Sequence, residues 1–225
     1  MIKVHHLNNS RSQRVLWLLE ELGLRYKVVR YQRDPTTMLA PPSLRAVHPL
    51  GKSPVLEDDG RVLAESAAIL EYLVERHDHA HAFSPLPEPA EADERLRYRY
   101  WLHYAEGSAM PPLLMSLVFS RLKQAPMPFF ARPIARGIAD KTMAAFVGPQ
   151  LKLHLDYMEA ELSTRPWFAG DRFTAADIQM SFPIEAAAAR VGSSRPQLQA
   201  FLERIRARPA YQRALVQGGP YELAR

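Results

Sequence analysis

The stretch HPLGKSPVLEDDGRVLAESAAILEYL, residues 48–73, decides the fold. Two short runs, 54–57 and 61–64, flank Asp58-Asp59-Gly60. That is a strong hairpin signal, because a tight turn between paired strands needs residues that tolerate positive φ. Directly after it, residues 65–76 carry Ile69, Tyr72 and Leu73 along one side at helical spacing. Working back toward the N-terminus, residues 3–7 read as a short strand. Residues 14–22 (RVLWLLEEL) place Val15, Leu18, Leu19 and Leu22 on one helical face, with Gly23 as a stop. Residues 26–31 read as a second strand, and a helix of that length between two strands fits a parallel pair joined by a crossover. Between them and the hairpin, residues 34–49 are irregular and rich in proline.

The resulting order, β-α-β-(irregular)-β-β-α, is that of a thioredoxin-like unit. Residues 77–89 carry histidines and prolines without an apolar period and read as a solvated linker. His77, His79 and His81 alternate there, but no acidic or cysteine partners are spaced to close a metal shell. Beyond residue 90 every segment has helical spacing. Residues 91–122 form one pattern that Pro111-Pro112 should bend or end, and residues 138–162 form another with Gly148-Pro149 as a kink. Shorter helices are expected over 175–190, 196–208 and 209–217. The expected fold class is therefore α/β plus all-α: a thioredoxin-like domain over 1–78, a linker over 79–89 and a helical bundle over 90–225.

Composition narrows the chemistry. With 47% hydrophobic and 24% charged residues, the 225-residue chain has the make-up of an ordinary globular protein and the length to bury a sizeable core. It contains no cysteine, which excludes disulfides, thiolate metal sites and an enzyme-borne thiol nucleophile, and suits a reducing compartment. Any thiol chemistry must come from a ligand. The first seven residues lack the layout of a secretory signal. The greasiest run, 110–119, contains two prolines and is far short of the ~20 residues of a membrane span, so a soluble, cytoplasmic protein is expected. The net charge of +5 is spread along the chain rather than blocked, which argues against a nucleic-acid partner and favours small anionic ligands.

Three motifs carry the functional reading. Pro54 opens a predicted strand, where it removes a ladder donor; a cis Ser53-Pro54 bond would turn the Ser53 N–H and C=O outward for an extended peptide ligand. Glu65-Ser66 stands at a helix start, whose unpaired N–H groups suit a carboxylate, while Glu65 suits an ammonium group. Phe173-Thr174-Ala175-Ala176-Asp177-Ile178 contains the capping box Thr174-x-x-Asp177, with Phe173 and Ile178 as a hydrophobic staple. Together these residues resemble the cytosolic glutathione S-transferase family, in a branch without a catalytic tyrosine or cysteine. The resemblance covers nearly the whole chain. It implies glutathione as co-substrate, no metal, and a homodimer. It also implies that Lys52 approaches the glycyl carboxylate, that Ser53 and Pro54 bind the cysteinyl backbone, and that Glu65 and Ser66 hold the γ-glutamyl end.

In that family the group that activates the thiol lies between the first strand and first helix, here Asn8-Asn9-Ser10-Arg11-Ser12. Ser10 can donate an O–H to the sulfur, or can cap the helix with Gln13. Asn9 falls at the usual serine position and can donate without ionising, and Arg11 is a candidate electrostatic helper. The electrophile pocket is expected along the helix after the linker, with Trp101 and Tyr104 first among its aromatic residues. The implied activity is conjugation of the glutathione thiolate to a hydrophobic electrophile. Alternatives are a glutathione-dependent disulfide or peroxide reductase and a non-catalytic ligand-binding module.

Overall fold

The computed structural model describes residues 1–191 and 195–223, with the side chains of residues 190 and 191 left aside. Strand β1 (Ile2–Leu7) leads into helix α1 (Ser12–Glu21) and strand β2 (Tyr26–Tyr31). Strands β3 (Val55–Asp58) and β4 (Arg61–Ala64) then precede helix α2 (Ser66–His77). The sheet order is β2-β1-β3-β4, with β1 parallel to β2 and antiparallel to β3. The turn between β3 and β4 is the two-residue Asp59-Gly60, both at positive φ (+47° and +78°), the backbone that a twisted hairpin selects.

Helix α1 is the hinge of the architecture. Ser12 through Leu19 are all buried, which an amphipathic surface helix would not allow. One face packs on the sheet, and the other meets α7 (Ala175–Val191) and α9 (Pro209–Gly218). There the Trp17 ring stands edge-on to Tyr211 at 5.0 Å, while Arg208 bonds both carboxylate oxygens of Glu21 at 2.5 and 3.0 Å.

The remaining helices are α3 (Ala92–Tyr104), α4 (Met110–Leu122), α5 (Arg132–Thr142), α6 (Gly148–Thr164) and α8 (Pro196–Arg206). The helices do not end at the prolines. Instead a π-turn, Ala105–Ala109, joins α3 to α4 just before Pro111, and another, Met143–Val147, joins α5 to α6 just before Pro149. A proline ring collides with the carbonyl four residues back and offers no N–H, and one wider turn absorbs the mismatch without stopping the helix. The second turn also requires its glycine: a Cβ on Gly148 would lie 2.8 Å from the Met143 carbonyl oxygen.

The segment between α2 and α3 exposes residues 79, 80, 82 and 87–89 but is anchored at fixed points. The buried Asp78 carboxylate accepts the Ala82 and Phe83 N–H groups at 2.8 and 2.7 Å. The Phe83 carbonyl in turn accepts the Ala175 N–H at 2.8 Å, at the start of α7. That start is built on the expected capping box. Asp177 accepts the Thr174 N–H at 2.8 Å and reaches further, to the Phe168 N–H at 2.8 Å, while Thr174 Oγ1 accepts the Ala176 N–H at 3.3 Å. Among the described residues no helix is long and apolar enough to cross a membrane.

Candidate functional site

The loop between β1 and α1 turns sharply at Asn9, whose φ is +49°, a region in which asparagine is among the tolerated residues. Arg33 holds the loop in place. Its N–H bonds Asn8 Oδ1 at 2.9 Å, and its guanidinium bonds the carbonyls of Asn8, Met38 and Asn9. The loop and the proline-rich segment around Met38 are thereby fixed to one another. Ser10 is 4% exposed; its Oγ accepts the Ser12 N–H at 3.2 Å and shares a hydrogen bond with Ser12 Oγ at 2.7 Å. Ser10 therefore has the helix-starting role, although the Gln13 side chain does not reach back to complete a box.

Arg11 turns toward the helical half. Its Nε donates to Glu106 Oε2 at 2.8 Å, and Glu106 Oε1 accepts from the buried Arg14, which also donates to the Gln179 carbonyl at 2.6 Å. Burial alone would raise the Glu106 carboxyl; the charges of Arg14 and Arg11 and their hydrogen bonds hold it below the usual range. Both guanidinium groups lie 5.1 Å from the centre of the Phe182 ring. Two cations share one carboxylate, so a positive charge remains beside the loop.

Across from the loop, the Ser53-Pro54 peptide is cis. The Ser53 hydroxyl donates to the His5 carbonyl at 2.9 Å and accepts the Leu7 N–H at 3.2 Å, taking the place of a strand's ladder bonds on β1. Within the described residues no hydrogen bond engages the Ser53 N–H or C=O. Glu65, the residue before α2, has φ +69°, and its exposed side chain forms no capping bond. A non-glycine residue held there in the left-handed region is a strained conformation of the kind that clusters at ligand sites. Ser66 follows as the first residue of α2 and is buried.

Asn9, Ser10, Arg11, Lys52 and Ser53 line one cavity of roughly 460 Å³. Its opposite wall is apolar: Met110, Leu113, Leu114 and Leu117 from α4, and Phe182 from α7. Arg33 and Arg121 add cationic groups to its rim, and Glu222 and Leu223 of the C-terminal segment close one side. Pro54, Glu65 and Ser66 lie outside that lining. So do Trp101 and Tyr104, which corrects their expected place in the electrophile pocket. Trp101 is 1% exposed and packs on Phe168 at 4.5 Å and Tyr157 at 5.5 Å; the Tyr104 hydroxyl bonds His154 Nδ1 at 2.6 Å. A helical stripe of aromatic residues packs a core more readily than it lines a cleft, and here α3 turns it inward.

Arg33, Phe182, Glu222 and Leu223 were missed in the sequence. No local pattern marks them, since each reaches the site only through the tertiary fold. The C-terminal segment is held by Tyr221, whose hydroxyl donates to Glu185 Oε2 at 2.8 Å, beside Tyr211 on Oε1 at 2.5 Å. Burial pushes the Glu185 carboxyl up, and the two phenol bonds oppose it.

Comparison with known proteins agrees with this architecture. Residues 10–76 match the family model for the glutathione S-transferase N-terminal domain, and residues 112–209 match that for the glutathione S-transferase C-terminal domain. Glutathione S-transferase 1 of Saccharomyces cerevisiae is 40% identical over 194 residues, 83% of this chain and 81% of the relative. Glutathione S-transferase 3 of Schizosaccharomyces pombe is 41% identical over 198 residues, 87% and 78% of the two chains. Among solved structures, a glutathione S-transferase from Actinobacillus pleuropneumoniae matches with a TM-score of 0.81 at 33% identity, covering 100% of this chain and 96% of that one.

Proposed function

The chain belongs to the glutathione S-transferase family and is a glutathione transferase, and from that premise we propose how its cavity performs the reaction. Glutathione lies along the Ser53-Pro54 segment, its cysteinyl backbone paired with the free main-chain groups of Ser53. Its glycyl carboxylate is near Lys52, and its γ-glutamyl end reaches Glu65 and the Ser66 end of α2. The thiol then points at the Asn9-Ser10-Arg11 loop. The electrophile rests on Met110, Leu113, Leu114, Leu117 and Phe182. Holding both reactants in one cleft converts an encounter in solution into a neighbouring-group reaction. The sulfur attacks the electrophilic carbon, its proton having left to solvent, and the leaving group departs. With no cysteine in the chain, no covalent enzyme intermediate on sulfur is involved.

The observation that carries this reading is the single cavity in which a polar thiol loop and the Lys52-Ser53 segment face an apolar wall. We place the glutathione-binding half in residues 1–78 and the electrophile wall in 90–225, with 79–89 between them. A homodimer is favoured by the exposed apolar residues Phe129, Phe130, Ile134 and Ile138 around α5, the cysteine-free composition suits a reducing, cytoplasmic compartment, and a detoxifying role follows from conjugation of a hydrophobic electrophile. The test is glutathione binding by calorimetry, with conjugation to an aryl halide followed in parallel. Glu65→Ala removes the γ-glutamyl contact and is expected to weaken binding by roughly ten- to a hundred-fold, the effect of losing one charge-assisted hydrogen bond. Unchanged affinity in Glu65→Ala would place the peptide elsewhere.

A further inference from the structure

Two hydrogen-bond paths tie the thiol loop to the last part of the chain. In the first, Asn9 Oδ1 accepts the Glu222 N–H at 2.7 Å. A backbone N–H can only donate, so the amide oxygen faces the C-terminal segment and the Nδ2 donors are the end turned away. No hydrogen bond within the described residues uses those donors, and Asn9 lines the cavity.

The second path is buried. Ser10 Oγ meets Ser12 Oγ at 2.7 Å, and Ser12 Oγ meets His6 Nδ1 at 2.8 Å; the three residues are at most 4% exposed. The other ring nitrogen of His6 faces Gly218 at the end of α9, where a Cβ would lie 3.3 Å from Nε2, and the Gly218 carbonyl is the neighbouring group that favours a proton on that side of the ring. A carbonyl only accepts, so Nε2 carries the proton and Nδ1 is an acceptor. The Ser12 hydroxyl must then donate to Nδ1; its alternative acceptor, the Leu7 carbonyl, is longer at 3.4 Å and would leave Nδ1 unsatisfied. With its own proton committed, Ser12 Oγ accepts from Ser10. The Ser10 proton is therefore turned inward, away from the cavity.

We propose that Asn9, and not Ser10, donates the hydrogen bond to the glutathione sulfur, and that His6 is the positioning residue that keeps the Ser10 proton out of the site. The proposal rests on the reading that the glutathione thiol lies at this loop. A side-chain amide has no proton to lose near neutrality, so its support of the thiolate does not itself titrate.

The test is titration of the thiol in the glutathione complex of wild type and variants. Asn9→Ala is expected to raise the thiol pKa by about one to two units, the effect of removing one hydrogen bond to a charged group. Adding Ser12→Ala frees the Ser10 hydroxyl to turn outward, and the double variant is expected to recover at least half of that shift. Adding Ser10→Ala to the pair should abolish the recovery. An unchanged thiol pKa in Asn9→Ala, or a double variant as high as Asn9→Ala alone, would overturn the assignment. The His6 tautomer can be read independently in wild type from its imidazole ¹⁵N–¹H correlations. A proton on Nε2 is expected, and a proton on Nδ1 would overturn the inward orientation of Ser10. Absence of glutathione binding in wild type would instead sink the site reading, and the tautomer measurement would still decide the direction of the chain.

Discussion

Burial, with the nearby Arg30 charge, pushes the His6 imidazole down to about 4, against the opposing influence of the Gly218 carbonyl. In the unfolded chain the same ring titrates near ~6.5. Between those values the unfolded state holds more protons. The contribution of His6 is complete above the unfolded value and is lost as the pH falls through about 4, in all by roughly 3 kcal/mol. Asp177, pushed up to about 7 by burial against its hydrogen bonds, runs with the opposite sign: its contribution declines as the pH rises through that value. Comparison with a His6→Phe variant separates the two. The stability difference between wild type and His6→Phe, from urea unfolding, should shrink by roughly 3 kcal/mol from pH 7 to pH 4. A constant difference would mean that the ring is not held neutral by the fold. None of this is legible at Ser10, whose network partners lie four residues before it and 208 after. The sequence therefore puts Ser10 first and Asn9 behind it, and only the tertiary structure tells which proton points where.

At the scale of elements, legibility follows how local the determining chemistry is. The β3-β4 hairpin was readable because Asp59-Gly60 must adopt positive φ, and α7 because Thr174 and Asp177 satisfy N–H groups within one turn. The π-turns were not readable. A proline announces a conflict with the preceding turn, but whether the helix stops or widens depends on what packs around it. Asp177 provides the prediction at this scale. Its carboxylate serves the Thr174 N–H inside the box and the Phe168 N–H outside it, at 0% exposure. Asp177→Ala leaves both buried donors without a partner and is expected to cost on the order of 3 kcal/mol, more than the ~1 kcal/mol of an ordinary cap. Chemical denaturation measures it. A loss below 1 kcal/mol would show that water replaces the carboxylate.

For the whole molecule, the site exists because α1 is shared. Its N-terminal loop belongs to the sheet half, while Arg11 and Arg14 anchor Glu106 at the junction of α3 and α4, which brings the apolar wall of α4 opposite Lys52 and Ser53. The sequence motifs marked Lys52 and Ser53, which line that cleft, and set Ser53-Pro54 and Glu65-Ser66, the proposed glutathione contacts, within one supersecondary unit. They did not identify the far wall, where Phe182, Glu222 and Leu223 arrive from distant parts of the chain and where Trp101 and Tyr104 turn out to be core. The cationic surplus of Arg11, Arg33, Lys52 and Arg121 over Glu222 around the cavity gives it the field that would hold a peptide thiol as its anion. The most direct test of that account is the ultraviolet titration of the thiolate of glutathione bound to the wild-type protein. The account predicts a midpoint at least one unit below the ~8.5 of a free cysteine thiol, and a bound thiol that titrates at the free value would contradict it.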